Sequence, residues 1–281
     1  MSKRSTVLID GDVLVYRAAA SLETATEFPD DMWVLWADAS EGRYAVDAMI
    51  KSILGKTKCT SYRICLTAPN NFRLSVDETY KGNRAETRKP MILKTLREYT
   101  LENHGAELRP RLEGDDLLGI FATGENLDDG LIYSIDKDLR TVPGYHWDHK
   151  AEKIIRISEE EAFSFFMSQV LSGDPTDGYS GCPGVGEGTA KKALEAGSGL
   201  VPYQHELKSG ARKGEVETRY RSEPMEPWPI VLSYYEKAGL GYDEALVQAR
   251  LARILQSTDY DHGRIILWEP PMSEPKEPQD G

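Results

Sequence analysis

The chain has 281 residues, a 40% hydrophobic and 9% aromatic content, and 34 Lys and Arg against 46 Asp and Glu, a net charge of −12. That composition supports a buried core in one large domain or two modest ones and excludes global disorder. No stretch approaches about 18 consecutive apolar residues, which excludes a membrane-spanning helix. The acid excess argues against coating nucleic acid by bulk attraction.

Val7-Leu8-Ile9 is an apolar run that ends in Asp10-Gly11-Asp12, a first buried strand meeting a turn. Only three apolar residues precede Asp10, so the segment does not read as a signal peptide. A helix over Val13–Leu22 follows, with Asp12 as its N-cap. Residues 23–47 form an acidic, solvated insertion that leads into a helix through Leu54. Tyr62–Thr67 is the second strand and Leu131–Ile135 the next. Between Tyr80 and Arg111 the charge balance turns basic, with helical spacing from Pro90 through Leu101. Around Gly173–Gly188 the chain is rich in Gly, Asp and Pro, which marks a boundary. Residues 207–221 carry a basic cast and read either as a duplex-contacting loop or as an exposed hairpin. Helices are expected over Ile230–Ala238 and Asp243–Gln256, then a closing extended segment over Arg264–Trp268. From residue 270 the chain is a Pro-rich polar tail expected to be disordered. Strands alternating with helices argue for an α/β fold with a mostly parallel central sheet flanked by helices. Cys59, Cys65 and Cys182 lack CxxC spacing, as expected of a reducing cytoplasm.

Four acidic clusters stand where a strand ends or a turn begins, three of them at strand ends or helix starts: Asp10, Glu113-Gly114-Asp115-Asp116, Asp136-Lys137-Asp138 and Asp174-Pro175-Thr176-Asp177. In a parallel sheet the carboxyl ends of the strands share one edge, so Asp10 and Asp136 are expected in one crevice. Carboxylates converging there repel one another, and hard divalent cations such as Mg²⁺ or Mn²⁺ relieve that repulsion. No His or Cys cluster supports zinc; His146 and His149 stand apart from further ligands.

These clusters, with Tyr-Lys-Gly-Asn-Arg at 80–84 and Gly-Val-Gly-Glu-Gly-Thr-Ala-Lys-Lys at 184–192, occur in an order that resembles the 5′-nuclease superfamily. Leu-Lys-Ser-Gly at 207–210, Met-Glu-Pro at 225–227, Gln-Ala-Arg-Leu-Ala-Arg-Ile-Leu at 248–255 and Leu-Trp-Glu-Pro at 267–270 are similar to the bacteriophage T-seven gene-six type of 5′→3′ exonuclease. The resemblance covers about residues 5–270. It implies a PIN/resolvase-like nuclease core over 1–172 with a helical arch at about 78–105. A helix–three-turn–helix and helical region over 173–269 would grip duplex DNA, with a K⁺ at the turns. It further implies metal-ligand roles for Asp10, Glu113, Asp115, Asp116, Asp136, Asp138, Asp174 and Asp177, binding two or more Mg²⁺, with Mn²⁺ able to substitute. One departure is Ala68, where the family usually places an Asp; Asn70 and Asn71 follow as loop residues.

Phosphodiester cleavage needs an activated water, neutralised phosphate charge and a stabilised leaving oxygen, all of which two metal ions supply. Lys81 and Arg84, three apart, share a helical face and can reach one phosphate; the resemblance puts them at the base of the arch. Tyr80 is placed to stack a terminal base, and Arg88 and Lys89 to meet phosphates. Gly184, Gly186 and Gly188 open a helix whose amides face a phosphate, with Lys191 and Lys192 one turn in. The sequence therefore points to a metal-dependent exonuclease acting from 5′ ends of duplex DNA. Removal of RNA primers from RNA–DNA hybrids is implied by the closest family type. A phage replication setting in the host cytoplasm, phage replication proteins as partners, no membrane contact and a monomeric state complete the expectation. A structure-specific flap endonuclease and a non-catalytic DNA-binding accessory with a degenerate metal site remain open alternatives.

Overall fold

The computed structural model describes residues 5–84 (the Arg84 side chain excepted), 87–124 and 130–271. The first strand, β1 (Thr6–Asp10), runs into helix α1 (Gly11–Ser21). The Asp10 carboxylate accepts from the Val13 amide at 3.0 Å, so Asp10 and not Asp12 caps this helix. The helix starts two residues earlier than expected, at Gly11 rather than Val13, because the strand's last residue captures the free amide itself. Asp12 instead accepts from the Thr67 amide at 2.8 Å and pairs with Arg97.

The acidic insertion is an antiparallel hairpin, β2 (Thr24–Phe28) and β3 (Met32–Trp36), turned at Asp30 and Asp31 with φ of 68° and 58°. Its apolar Phe28, Met32, Trp33 and Trp36 are exposed. Helix α2 (Ala39–Thr57) and strand β4 (Ser61–Cys65) follow, then helix α3 (Leu93–His104) and helix α4 (Gly114–Ala122). Strands β5 (Leu131–Tyr133), β6 (Gly144–Asp148) and β7 (Lys153–Ile157) complete a sheet of order β4-β1-β5-β6-β7. All its pairings are parallel except β6–β7. Alternation along β1 decides the layers. Val7 and Ile9 face α1, α2 and α3, with Leu14, Val46, Ile50 and Leu96. Leu8 faces α4, with Leu117, Leu118, Ile254 and Leu255.

The helical spacing expected at Pro90–Leu101 is realised in α3, but α3 is built into the core through Leu96 and Thr100, both fully buried. Among the described residues 78–92 the only helical element is a single 3-10 turn, Gly82–Arg84. Of the expected arch at about 78–105, the described residues form that turn and α3, whose apolar face packs onto α1 and α2, while residues 85 and 86 lie outside the described residues.

Helix α5 (Glu159–Ser172), helix α6 (Glu187–Glu195), hairpin β8 (Ser198–Glu206) and β9 (Val216–Pro224), then helices α7 (Pro227–Lys237) and α8 (Tyr242–Ala252), make the second half. A short β10 (Tyr260–Asp261) and β11 (Arg264–Ile265) close it. Phe166, Met167, Val170 and Leu171 of α5 share a core with Trp228, Tyr235, Leu246 and Trp268. Helix α5, which an expected division after residue 172 leaves with the first half, buries this apolar face with the C-terminal helices while Gln169 also bonds Asp138. The 207–221 segment is the hairpin reading of the two, with Arg219 and Arg221 paired to Glu217 and Glu223 at 2.7 and 2.6 Å. From residue 272 the expected tail lies outside the described residues.

The turns between α5 and α6 hold a self-crossing. A Cβ on Gly181 would stand 2.2 Å from the Gly173 amide nitrogen, and both residues have positive φ, 65° and 67°. Gly181→Ala therefore combines a left-handed backbone penalty with a backbone clash. We expect it to destabilise the fold by about 2 kcal/mol, read as a lower denaturant midpoint at unchanged slope. An unshifted midpoint would show that the crossing opens without strain.

Candidate active site

The carboxyl ends of β1 and β5 and the N-terminus of α4 bring Asp10, Asp136, Glu113 and Asp115 together, and the turn after α5 adds Asp174 and Asp177. One cleft is lined by Arg73, Tyr80, Lys81, Glu113, Asp115, Asp136, Asp138, Asp177 and Tyr179. Asp10 stands behind it, 5% exposed, with its carboxylate accepting from the Ser134 hydroxyl at 2.6 Å. The Asp136 carboxylate accepts from the Asp138 amide at 2.8 Å and so begins the 3-10 turn Lys137–Thr141. The Asp174 carboxylate accepts from the Thr176 amide at 2.7 Å and lies 3.8 Å from the Lys137 ammonium.

The cluster divides into two electrostatic halves. Glu113 is paired with Arg73 at 3.1 Å and Lys81 at 2.5 Å, and Lys81 also reaches Asp177 at 3.4 Å. Burial pushes the Glu113 carboxyl up, but the Arg73 and Lys81 charges outweigh it and hold the group below its ordinary value. Among the described residues Asp10, Asp115 and Asp138 have no paired base. Burial, with the Asp12 and Asp136 charges, pushes Asp10 up to about 6. Burial and then the Asp136, Asp174 and Asp177 charges push Asp138 to about 7. Asp115 rises well above the ordinary range through burial and the Asp10 and Asp136 charges. Like charges held in a desolvated cleft favour either a proton or a cation.

The donor set is all oxygen and anionic, which suits a hard cation such as Mg²⁺. No three His, Cys, Asp or Glu side chains among the described residues are grouped tightly enough to cage a bare ion. A hydrated ion held through one or two carboxylates fits such a spread set.

Several expected roles change. Asp116 is fully buried and accepts from Arg73 Nη1 at 2.9 Å and Nη2 at 2.8 Å, the Glu113 amide at 3.0 Å and the Leu255 amide at 3.1 Å. With its lone pairs committed to the core, it is a structural carboxylate rather than a metal ligand. Tyr80 is 5% exposed and donates toward Glu113 at 3.2 Å and Asp177 at 3.1 Å, so its ring is not available to stack a base. Lys81 has a φ of 56° and precedes the 3-10 turn, so it shares no helical face with Arg84, whose side chain lies outside the described residues. Arg88 pairs with Glu23 at 3.1 Å, and Lys89 is exposed.

Gly184 has a φ of 76°, Gly186 caps α6, and Gly188 lies in its first turn; a Cβ on any of them meets no atom within 4 Å. That leaves an open approach to the helix start. Lys191 pairs with Glu195 at 3.7 Å along α6, and Lys192 is exposed. Ala68 is buried and donates its amide to Leu112, while the Asn71 side chain accepts from the Arg73 amide at 2.9 Å. The carboxylate that does meet this loop is that of Asp12, which accepts from the Thr67 amide and pairs with Arg97.

Sequence reasoning missed Arg73, Ser134, Gln169 and Tyr179. The only sequence signal for Arg73 is its place between the apolar Phe72 and Leu74, which is weak because buried arginines are rare.

No protein-family model matches the chain. It is 31% identical to the exodeoxyribonuclease of Enterobacteria phage T3, over 94% of this chain and 92% of that one. With the exonuclease of Escherichia phage T7 it shares 31% identity over 94% of this chain and 93% of the other. The chain belongs to the phage exodeoxyribonuclease family. A phage T5 flap endonuclease, solved with DNA and metal ions, shares the fold at a TM-score of 0.52 and 17% identity, over 69% of this chain and 75% of that one. In this exonuclease, Lys81 brings a cation into the cleft from the 80–84 turn. Lys81→Met is expected to lower turnover by about 10²-fold through loss of one preorganised charge, and to lower the thermal midpoint because Glu113 and Asp177 lose their ammonium partner. Steady-state kinetics on a labelled duplex measure it; unchanged turnover would remove Lys81 from the chemistry.

Proposed function

We propose that the chain is a divalent-metal-dependent 5′→3′ exodeoxyribonuclease that hydrolyses phosphodiester bonds from the 5′ ends of duplex DNA. The observation that carries this reading is the set of carboxylates that have no paired base among the described residues, Asp115 and Asp138 lining the cleft beside Lys81 and Asp10 buried behind it. Asp10, Asp115, Asp136 and Asp138 would hold Mg²⁺, or Mn²⁺ in its place, with Asp174 and Asp177 on the facing wall. When bound, such ions supply an activated water and neutralise charge on the leaving oxygen. Lys81 neutralises Glu113 and Asp177 in the free protein and is free to exchange them for a phosphate, with Arg84 as a second phosphate contact. Tyr80 orients Glu113 and Asp177 from behind. The start of α6, with Gly184, Gly186, Gly188, Lys191 and Lys192, would take a duplex phosphate, aided by K⁺ at the turns.

RNA–DNA hybrids are proposed as further substrates, and phage replication proteins in the host cytoplasm as partners of a monomeric enzyme. Among the described residues no helix is long and apolar enough to cross a membrane. A 5′-labelled duplex incubated with Mg²⁺ and with Mn²⁺ tests the reading. Short labelled products are expected; no release with either ion would leave a DNA-binding accessory. Long products from flapped substrates alone would indicate flap endonuclease action instead.

A further inference from the structure

The carboxylates of this site are held by two kinds of partner. Glu113, Asp116, Asp174 and Asp177 each have a base: Lys81, Arg73, Lys137 and again Lys81. The Asp138 carboxylate is held differently. Its oxygen accepts from Gln169 Nε2 at 2.6 Å, a short bond from a neutral donor. Gln169 comes from the middle of α5, on the helix that packs under the Asp136–Lys137–Asp138 turn, and is only 6% exposed. Its other amide atom, Oε1, is enclosed and has no hydrogen-bond partner among the described residues.

An enclosed amide oxygen without a partner is unfavourable, and such groups in native structures need a reason. Turning the amide over would not relieve it, because Oε1 would then face the Asp138 carboxylate oxygen at hydrogen-bond distance. The carboxylate charge thus selects the orientation that leaves Oε1 unpaired. A Lys or Arg at this position would have satisfied Asp138 more fully, but it would also have cancelled the charge that attracts a cation. A neutral amide directs the carboxylate and leaves its charge intact.

We infer that Gln169 is a positioning residue for the cation site, fixing the Asp138 carboxylate toward the cleft without neutralising it. The inference rests on the metal-dependent reading above. Partners that orient metal-ligating carboxylates typically carry 10- to 100-fold of metal affinity.

The test is Mn²⁺ binding to cation-stripped, DNA-free protein, followed by electron paramagnetic resonance, for the wild type, Gln169→Met and Gln169→Asn. Methionine keeps the length and removes the donor; asparagine keeps the amide and withdraws it by one methylene. Both variants should raise the Mn²⁺ dissociation constant by about 10-fold or more. The half-saturating Mg²⁺ concentration in turnover should rise in proportion, with turnover at saturating Mg²⁺ largely recovered. In an Asp138→Asn background, Gln169→Met should cause no further loss of affinity, as two residues acting through one contact require. If Gln169→Met fails to fold, Gln169→Asn carries the comparison alone. Folded variants that bind Mn²⁺ as the wild type does would overturn the positioning role, as would losses that simply add in the double variant. Wild-type protein that binds no Mn²⁺ would instead overturn the metal-dependent reading, and this inference with it.

Discussion

Asp10→Asn is expected to lower exonuclease turnover by about 10³-fold while making the cation-free protein more stable. The two effects have one cause. Asp10 is 5% exposed and carries no paired base, so burial and the neighbouring Asp12 and Asp136 charges raise its carboxyl from 3.8 to about 6. Keeping that carboxylate ionised at neutral pH then costs the folded state about 3 kcal/mol. Asparagine keeps an oxygen to accept from the Val13 amide, so the cap on α1 survives while the charge is removed.

The pH dependence has a definite sign. A carboxyl whose folded value lies above its unfolded value adds stability that is fully present below about pH 4 and is lost as pH rises through about 6. Asp138, raised to about 7, extends the same loss upward. Thermal midpoints in chelator, taken from pH 4 to 8, should therefore show wild type losing ground to Asp10→Asn across the window. A midpoint difference that stays constant with pH, or wild-type turnover in the variant, would contradict the assignment. Bound divalent cation should close the gap from the other side, by stabilising only the wild type.

Arg73→Met is expected to destabilise the protein by about 3–5 kcal/mol, the largest single-residue loss of fold stability anticipated for this chain. The guanidinium is 2% exposed and every edge is used. Nε donates to the Leu251 carbonyl at 2.9 Å and Nη2 to the Arg253 carbonyl at 2.5 Å. Nη1 and Nη2 fork onto Asp116 at 2.9 and 2.8 Å, and Nη1 also reaches Glu113 at 3.1 Å. Removing it strands a fully buried Asp116 and frees two main-chain carbonyls at the end of α8. Arg73→Lys should recover only a small part, because an ammonium cannot make the forked contact. Combining Arg73→Met with Asp116→Asn should cost less than the sum of the two, since the stranded charge is then gone. Urea unfolding measures all of these; additivity of the pair would mean that the two residues do not act as one unit.

Much of the candidate site was legible because strand-end acids announce themselves. An apolar run can stop at an Asp only where the sheet edge meets solvent or a ligand, and Asp10 and Asp136 both follow such runs. Asp115 and Asp116 were not distinguishable. Adjacent helical positions point about 100° apart, so one enters the cleft and the other the core, and sequence does not say which. Tyr80 and Arg73 were misjudged or missed for a related reason. Their partners come from α4, the turn after α5 and the end of α8, up to 180 positions away in the chain. That α3 packs onto α1 and α2 was not legible, because the helical spacing at 93–104 describes an apolar face without saying what covers it. The hairpin at 24–36 went unread because it lacks an Asn-Gly or Asp-Gly turn and presents apolar residues to solvent.

The contacts of Arg73 with Leu251 and Arg253, and of Asp116 with the Leu255 amide, bear on how the protein is born. Translation delivers the sheet and all the cleft carboxylates long before residue 255 leaves the ribosome. Until then Arg73 and Asp116 hold each other and Glu113 but lack the main-chain groups of Leu251, Arg253 and Leu255 that complete their bonding. A nascent chain therefore carries the acids of a nuclease without a completed cleft, and cutting competence is expected only once the segment after α8 has docked. For a protein made amid the nucleic acid of its cell, that timing delays the hazard until synthesis is nearly done.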